Sequence, residues 1–290
     1  MSGGESSSHG WPDDVVEQAL RRNLVVLVGS GLSASCERDG VRPPTWKALL
    51  AGLVDHLGIT ERKDEISELL TANRLLDAAE LVKLEAKRVS REQDFFSYIR
   101  TAVDGRAGSN FDGSEWHDAL VKLEPDLIVT TNYDKIIERS TGHGYSTHTY
   151  ESERVAGDVR RRIPTLLKIH GSVDAIEDTI LTRTDFTRLR LHGVHALSVL
   201  QALFLTRTVL LLGYSLGDPD IQLLLENVLG GRNESPAHYM LTQDSLPDYE
   251  RDVLRYSHGV TTITYPSGEH ERGLASLRVL ADLVQSAKPA

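Results

Sequence analysis

The sequence predicts an α/β protein built on a doubly wound parallel sheet of about six strands, with a helical subdomain inserted after the first strand. Three observations predict it. Short, almost wholly apolar runs recur at Leu24–Val28, Leu127–Thr130, Thr165–Ile169 and Thr208–Leu212, as strands buried on both faces require. Each run breaks at once into a glycine or polar tip and then into helical spacing, the alternation that winds a parallel sheet. Roughly 70 residues of helical periodicity separate the first run from the second, more than an ordinary crossover needs.

Residues 1–10 are small and polar and are expected to be disordered. Residues 11–290 form one domain, with the helical insertion at 45–123. Trp11 to Arg22 reads as a helix, with Pro12 suited to its first turn. Thr45 to Leu57 is an amphipathic helix closed by Gly58. Further helices are predicted over Asn73 to Lys87, Asp94 to Val103 and Ser114 to Leu123. Gly142 to Arg162 is irregular, with some β character at Tyr145 to Tyr150, and its His143 and His148 read as surface histidines. A short strand is predicted at Thr179 to Thr182. Helices follow over Asp185 to Leu191 and Val194 to Leu205. Asp218 and Pro219 open a helix to Leu229, as a cap and a first-turn proline do. The C-terminal part alternates a strand at His238 to Thr242, a helix at Asp248 to Tyr256, a strand at Val260 to Tyr265, and a helix from Glu269 to Ser286.

Composition narrows the function classes. The net charge of −10 and pI near 5.6 argue against nucleic acid or an anionic membrane as the main partner. The basic run Arg160, Arg161, Arg162 reads as a solvated face or a partner contact. One cysteine, Cys36, leaves no intrachain disulfide and no cysteine-rich zinc site. No apolar run reaches spanning length and the first ten residues lack a signal core, so a cytoplasmic protein is expected.

The strand tips hold the candidate site. Gly29-Ser-Gly-Leu-Ser33 follows the first strand, where glycine permits close approach of a phosphate and free N–H groups favour an anion. With Ala34 it fits the dinucleotide glycine pattern, but no acidic residue ends a second strand about 20 positions on. An ordinary tight turn also accounts for the glycines. Thr131, Asn132, Tyr133 and Asp134 tip the second strand. Asn132 and Asp134 can face a ligand there, or can form an Asx turn and a helix cap. His170, followed by Gly171, ends a core strand and is placed for acid–base work or for a buried bond to a carbonyl. Gly213-Tyr-Ser215 tips the next strand.

Together, in this order, the four tips resemble the sirtuin-like (Sir2-like) fold over roughly residues 24–265. The single cysteine rules out the four-cysteine zinc module of sirtuin deacylases, and Arg42-Pro-Pro-Thr-Trp46 stands where they carry a phenylalanine–arginine loop. Leu167 to Asp174 and Gly213 to Ile221 look instead like the bacterial sirtuin-like proteins of anti-phage defence. That resemblance implies hydrolysis of NAD⁺ to ADP-ribose and nicotinamide as an abortive-infection effector, with NAD⁺ as substrate and no metal. It also implies a homo-oligomer controlled by a separately encoded activator, such as a HerA-type ATPase translocase. Under it, Asn132 holds the ribose and the attacking water, His170 is the general base, and Asp134 orients Asn132 or contacts ribose. Gly29, Ser30, Gly31 and Ser33, with Thr131, cradle the diphosphate side, and Gly213 and Ser215 line the other wall.

Three rival readings remain. An acyl-lysine peptide in place of water gives an NAD-dependent protein deacylase on the same fold. Binding without turnover gives a sensor of NAD⁺ or an ADP-ribose-derived signal. Gly213-Tyr-Ser-Leu-Gly217 also matches a serine nucleophile elbow, with Asp248 and His258 later in triad order.

Overall fold

The computed structural model describes residues 10–214, 219–229 and 238–288. The expected disorder of residues 1–9, and the expected roles of Ser215 and Asp218, lie outside the described residues.

The elements run α1 (Asp13–Leu20), β1 (Leu24–Val28), α2 (Ser30–Ser33), α3 (Trp46–Leu57), α4 (Lys63–Thr71), α5 (Leu75–Arg88), α6 (Glu92–Asp104), β2 (Gly105–Arg106), β3 (Ser109–Asn110) and α7 (Glu115–Leu123). Then come β4 (Leu127–Thr130), α8 (Ile136–Ser140), β5 (Ser146–Thr149), α9 (Val155–Arg160), β6 (Thr165–Lys168), a 3-10 turn (Val173–Asp178), α10 (Arg183–His192), α11 (Val194–Thr206) and β7 (Thr208–Leu212). The chain closes with α12 (Pro219–Leu229), β8 (His238–Gln243), α13 (Asp248–Ser257), β9 (Val260–Tyr265) and α14 (His270–Ser286).

Seven strands form one sheet in the order β5-β6-β4-β1-β7-β8-β9, every pair parallel. Six were expected. The addition is β5, a polar Ser-Thr-His-Thr strand at the edge, paired in register with β6. The strand expected at Thr179–Thr182 does not form. Both edges of β6 are taken by β4 and β5. The segment instead caps α10, where the Thr182 side chain accepts from the Asp185 amide. His148 is buried rather than superficial: its imidazole sits between Asp158, at 2.8 Å, and Ser152, at 2.7 Å.

Every residue of β1, β4, β6 and β7 is buried. One face packs on α10 and α11 through Phe186, Leu189, Leu200 and Phe204. The other packs on α1, α7 and α14 through Val15, Leu120, Leu277 and Leu280. Helices α3 to α6 build a third core around Leu50, Leu53, Ile66 and Ile99. Val173, Ile176 and Leu181, from the segment after β6, join that core, so the helices lie beside the strand tips. Thr45 starts α3 by accepting from the Ala48 amide, and Gly58 ends it in the left-handed conformation. No helix among the described residues is long and apolar enough to cross a membrane.

Topology fixes where a ligand fits. The chain lays β4, β5 and β6 on one side of β1, then returns to lay β7, β8 and β9 on the other. That reversal opens a crevice at the carboxyl ends of β1 and its neighbours, the place where open α/β sheets bind ligands.

Candidate active site

The register aligns the four tips. Val28 of β1 pairs with Thr130 of β4 and Leu212 of β7, and Thr130 pairs with Lys168 of β6. Two residues past that row stand Ser30, Asn132, Tyr214 and His170. The sequence-predicted residues therefore share one edge of the sheet, on adjacent strands about 4.8 Å apart.

Asn132 is held from three sides. Its amide N–H donates to Thr130 Oγ1 at 3.0 Å, and Thr130 Oγ1 donates to the Val28 carbonyl at 2.9 Å. Its side-chain Nδ2 donates to the Gly29 carbonyl at 3.0 Å and to Ser33 Oγ at 2.9 Å. A carbonyl only accepts, so the Gly29 contact fixes which end of the amide is nitrogen. Both Nδ2 protons are spent inside the protein, and no hydrogen bond engages Oδ1 among the described residues. What Asn132 offers a ligand is therefore an oriented acceptor, not the donor–acceptor pair its residue type allows.

Ser33 passes the chain on. Its hydroxyl donates to Asp134 Oδ2 at 2.7 Å, while Asp134 Oδ1 accepts the Ile136 amide at 3.0 Å. Asp134 thus holds the first amide of α8, whose N-cap is Lys135, and also anchors Ser33. The order is Asp134, Ser33, Asn132, Gly29, and Asp134 acts on Asn132 through the serine. Burial pushes the Asp134 carboxyl above its ordinary range, opposed by the Lys168 charge and by the Ser33 and Ile136 donors.

Lys168 was not singled out from the sequence. It is fully buried, bonds the Asp134 carbonyl and pairs with Glu138 Oε1 at 2.9 Å. A lysine closing an apolar run is the only trace of it in the sequence. Its role is positional: it draws the Asn132–Asp134 turn down onto β6. The Val173 amide donates to the Tyr133 carbonyl at 2.9 Å, and Tyr133 Oη to the Ile180 carbonyl at 2.7 Å, tying the same turn to the segment after His170.

His170 is mostly buried, with its ring edge-on to Phe186 at 5.2 Å between centroids. Its carbonyl accepts the Ile180 amide at 3.0 Å. Gly171, at φ +86°, makes the turn that follows.

The glycine tips meet each other. The Gly31 amide donates to the Gly213 carbonyl at 2.8 Å, and the Gly29 amide to the Leu212 carbonyl at 3.0 Å. A Cβ on Gly29 would lie 2.5 Å from the Gly213 oxygen, and one on Gly31 would lie 2.8 Å from it. These glycines are needed for backbone-to-backbone packing of the β1 and β7 tips. Leu32 N–H is also used, on the Gly29 carbonyl. Ser33 is buried and committed to Asp134, whereas Ser30, Gly31 and Gly213 are exposed and Thr131 partly so. The exposed group is the part of these tips open to the crevice, and Ser33 belongs to the framework behind it.

Asp248 and His258 of the serine-elbow reading do not meet. Asp248 opens α13, where it pairs with Arg251, and His258 closes the same helix beside Glu226 at 3.4 Å. Ten helical residues separate their ends by about 15 Å. Among the described residues, no three His, Cys, Asp or Glu side chains converge as a metal site.

Residues 126–263 match the family model described as the SIR2-like domain. The chain is 22% identical over 231 residues to "NAD(+) hydrolase ThsA" of Bacillus cereus (strain MSX-D12), covering 79% of this chain and 44% of that protein. It is 25% identical over 238 residues to the protein of the same name from Enterococcus faecium, covering 80% and 45%. "Defense-associated sirtuin 2" of Bacillus subtilis is 30% identical over 220 residues, covering 73% of this chain and 20% of its own length. The chain spans less than half the length of each of these relatives.

Proposed function

We propose that this chain, which carries a SIR2-like domain, hydrolyses NAD⁺ to ADP-ribose and nicotinamide as an effector of anti-phage defence. The observation that carries the reading is the Asn132 amide, locked by Gly29 and Ser33 with Oδ1 left to accept. An acceptor held rigidly at a ligand crevice suits a ribose hydroxyl or the attacking water, and it costs no reorganisation during the reaction.

Breaking the nicotinamide–ribose bond builds positive charge on the ribose, as in glycoside hydrolysis. The bonding electrons leave with nicotinamide, which is neutral once released, so no strong general acid is needed. Water supplies the new C–O bond at the same carbon and loses one proton. In this reading His170 takes that proton, directly or through a ribose hydroxyl, and returns it to solvent. Asp134 holds Ser33, and Ser33 holds Asn132. Ser30, Gly31, Thr131 and Gly213 line the path of the diphosphate.

Control belongs to the same proposal. Uncontrolled NAD⁺ hydrolysis would exhaust the host, so the active form is a homo-oligomer switched by a separately encoded activator, of which a HerA-type ATPase translocase is one form. The test is chromatography of NAD⁺ and its products for the wild type, Asn132→Ala and His170→Ala, with and without the activator. Nicotinamide and ADP-ribose from the wild type, lost in both variants, is the expected result. Turnover that requires an acetylated peptide would make the protein a deacylase. Bound NAD⁺ without turnover in any arrangement would make it a sensor.

A further inference from the structure

The amino-terminal edge of the sheet, opposite the strand tips, carries a cavity of about 390 Å³ lined by Gln18, Arg21, Asn23, Arg162, Arg207 and Thr208. That size accommodates a small ligand. Its residues come from the segments that lead into β1, β6 and β7. It therefore sits a full strand length, about 17 Å, below the crevice described above.

Charge sets it apart from the rest of an acidic molecule. Four arginines face this edge. Arg21 pairs with Glu17 at 2.5 Å and Arg22 with the buried Asp126 at 2.6 Å. Among the described residues, Arg162 and Arg207 have no carboxylate partner and no side-chain hydrogen bond. Arg207 is only half-exposed. Burial lowers its proton affinity; the Asp126 carboxylate opposes that, and repulsion from Arg162 adds the smallest effect. Two guanidinium groups without a hydrogen-bonded carboxylate, lining one polar cavity, form an arrangement that suits an anion.

The backbone supports the same reading. α1 and α9 end alike, with an arginine closing the helix and a second arginine in the left-handed conformation: Arg22 at φ +54° and Arg162 at φ +56°. Glycine or asparagine is usual at that position. An arginine there carries a conformational cost, and of the two it is Arg162 that lines the cavity, Arg22 being paired with Asp126.

We propose that this cavity is a second ligand site, which takes the phosphate or diphosphate group of a small molecule through Arg162 and Arg207. The small size of the cavity and the protein's overall negative charge favour a compact anion over a nucleic-acid backbone.

Inorganic pyrophosphate is the probe, added to the full chain at constant ionic strength. Binding to the wild type, with a rise of about 3 °C in Tm at millimolar concentration, is expected. The Arg162→Gln/Arg207→Gln variant should lose at least about tenfold in affinity while still binding NAD⁺. Arg162→Glu, at an exposed position, repeats the test if the double variant folds poorly. Pyrophosphate binding that survives in these variants would overturn the proposal by placing the anion elsewhere, and so would a wild type that binds none. A DNA duplex that binds through these arginines where pyrophosphate does not would overturn it in favour of a nucleic-acid surface.

Discussion

Ser33 and Asp134 meet across 101 residues of chain, hydroxyl to carboxylate at 2.7 Å, and that bond joins the first strand's tip to the second's. Its removal in Ser33→Ala leaves Asp134 Oδ2 and one Asn132 proton without their partner. A stability loss of about 1–3 kcal/mol is expected, because each group is buried. Turnover should fall about 10–100-fold through kcat more than KM, since the amide is misplaced rather than removed. Urea unfolding alongside steady-state kinetics separates the two effects, and an unchanged kcat would reduce Ser33 to a structural residue.

Asn132→Asp keeps the shape and reverses one interaction. A carboxylate oxygen would then face the Gly29 carbonyl, acceptor against acceptor, where Nδ2 now donates at 3.0 Å. Turnover should fall at least about 100-fold, as when a fixed polar group is lost from a catalytic site. Product chromatography at saturating NAD⁺ measures it, and retention of wild-type rate would remove Asn132 from the mechanism.

Gly213 and Gly171 differ in what they tolerate. A Cβ at Gly213 would strike the Leu32 amide nitrogen and the Gly31 backbone, and its φ of +58° already disfavours alanine. Gly213→Ala should cost about 2–4 kcal/mol and open the β1–β7 crevice. At Gly171 the nearest obstacle is Thr179 Cα at 3.3 Å, and alanine should cost about 1 kcal/mol, mainly for its left-handed backbone. Chemical denaturation of the pair reads the difference directly.

His117 gives the protein an acid limit. Its ring is buried, its Nδ1 accepts the Ser114 amide at 3.2 Å, and desolvation lowers its pKa to about 4. The unfolded chain takes up the proton near 6.5, so it binds more protons than the folded state between those values. Stability should therefore fall as pH drops from 6.5 to 4, by up to about 3 kcal/mol. Thermal melts across that range should show the slope. His117→Gln should flatten it, and an equal slope in the variant would assign the effect to other groups.

How legible this molecule was depended on what each residue had to pair with. Leu24–Val28 and Thr208–Leu212 are apolar throughout because both faces of their strands are covered, so they stand out unaided. Ser146–Thr149 shows only some β character within an irregular stretch, since an edge strand of hydroxyls and one histidine lacks the apolar run of a core strand. The candidate tips could be placed because they follow core strands. Their internal order could not, because Ser33 shows no sign of a bond to Asp134 until the sheet brings them together. Lys168 escaped for a similar reason: its acceptors, Glu138 and the Asp134 carbonyl, lie some 30 residues earlier in the chain. The Arg160–Arg162 run was visible as charge, whereas its neighbour Arg207 was not.

β1 is laid down first, yet its two partners are Leu127–Thr130 and Thr208–Leu212, and Trp11 just before it donates to the Ser276 carbonyl at 2.8 Å. No neighbour exists for this strand until Leu127–Thr130 has been made, and the second arrives only with Thr208–Leu212. A growing polypeptide therefore carries an unfinished centre between the making of β4 and that of β7, with Asn132 lacking one wall of the crevice. Assembly from distant segments is slow, and here it delays any chemistry at the strand tips until Thr208–Leu212 has joined the sheet.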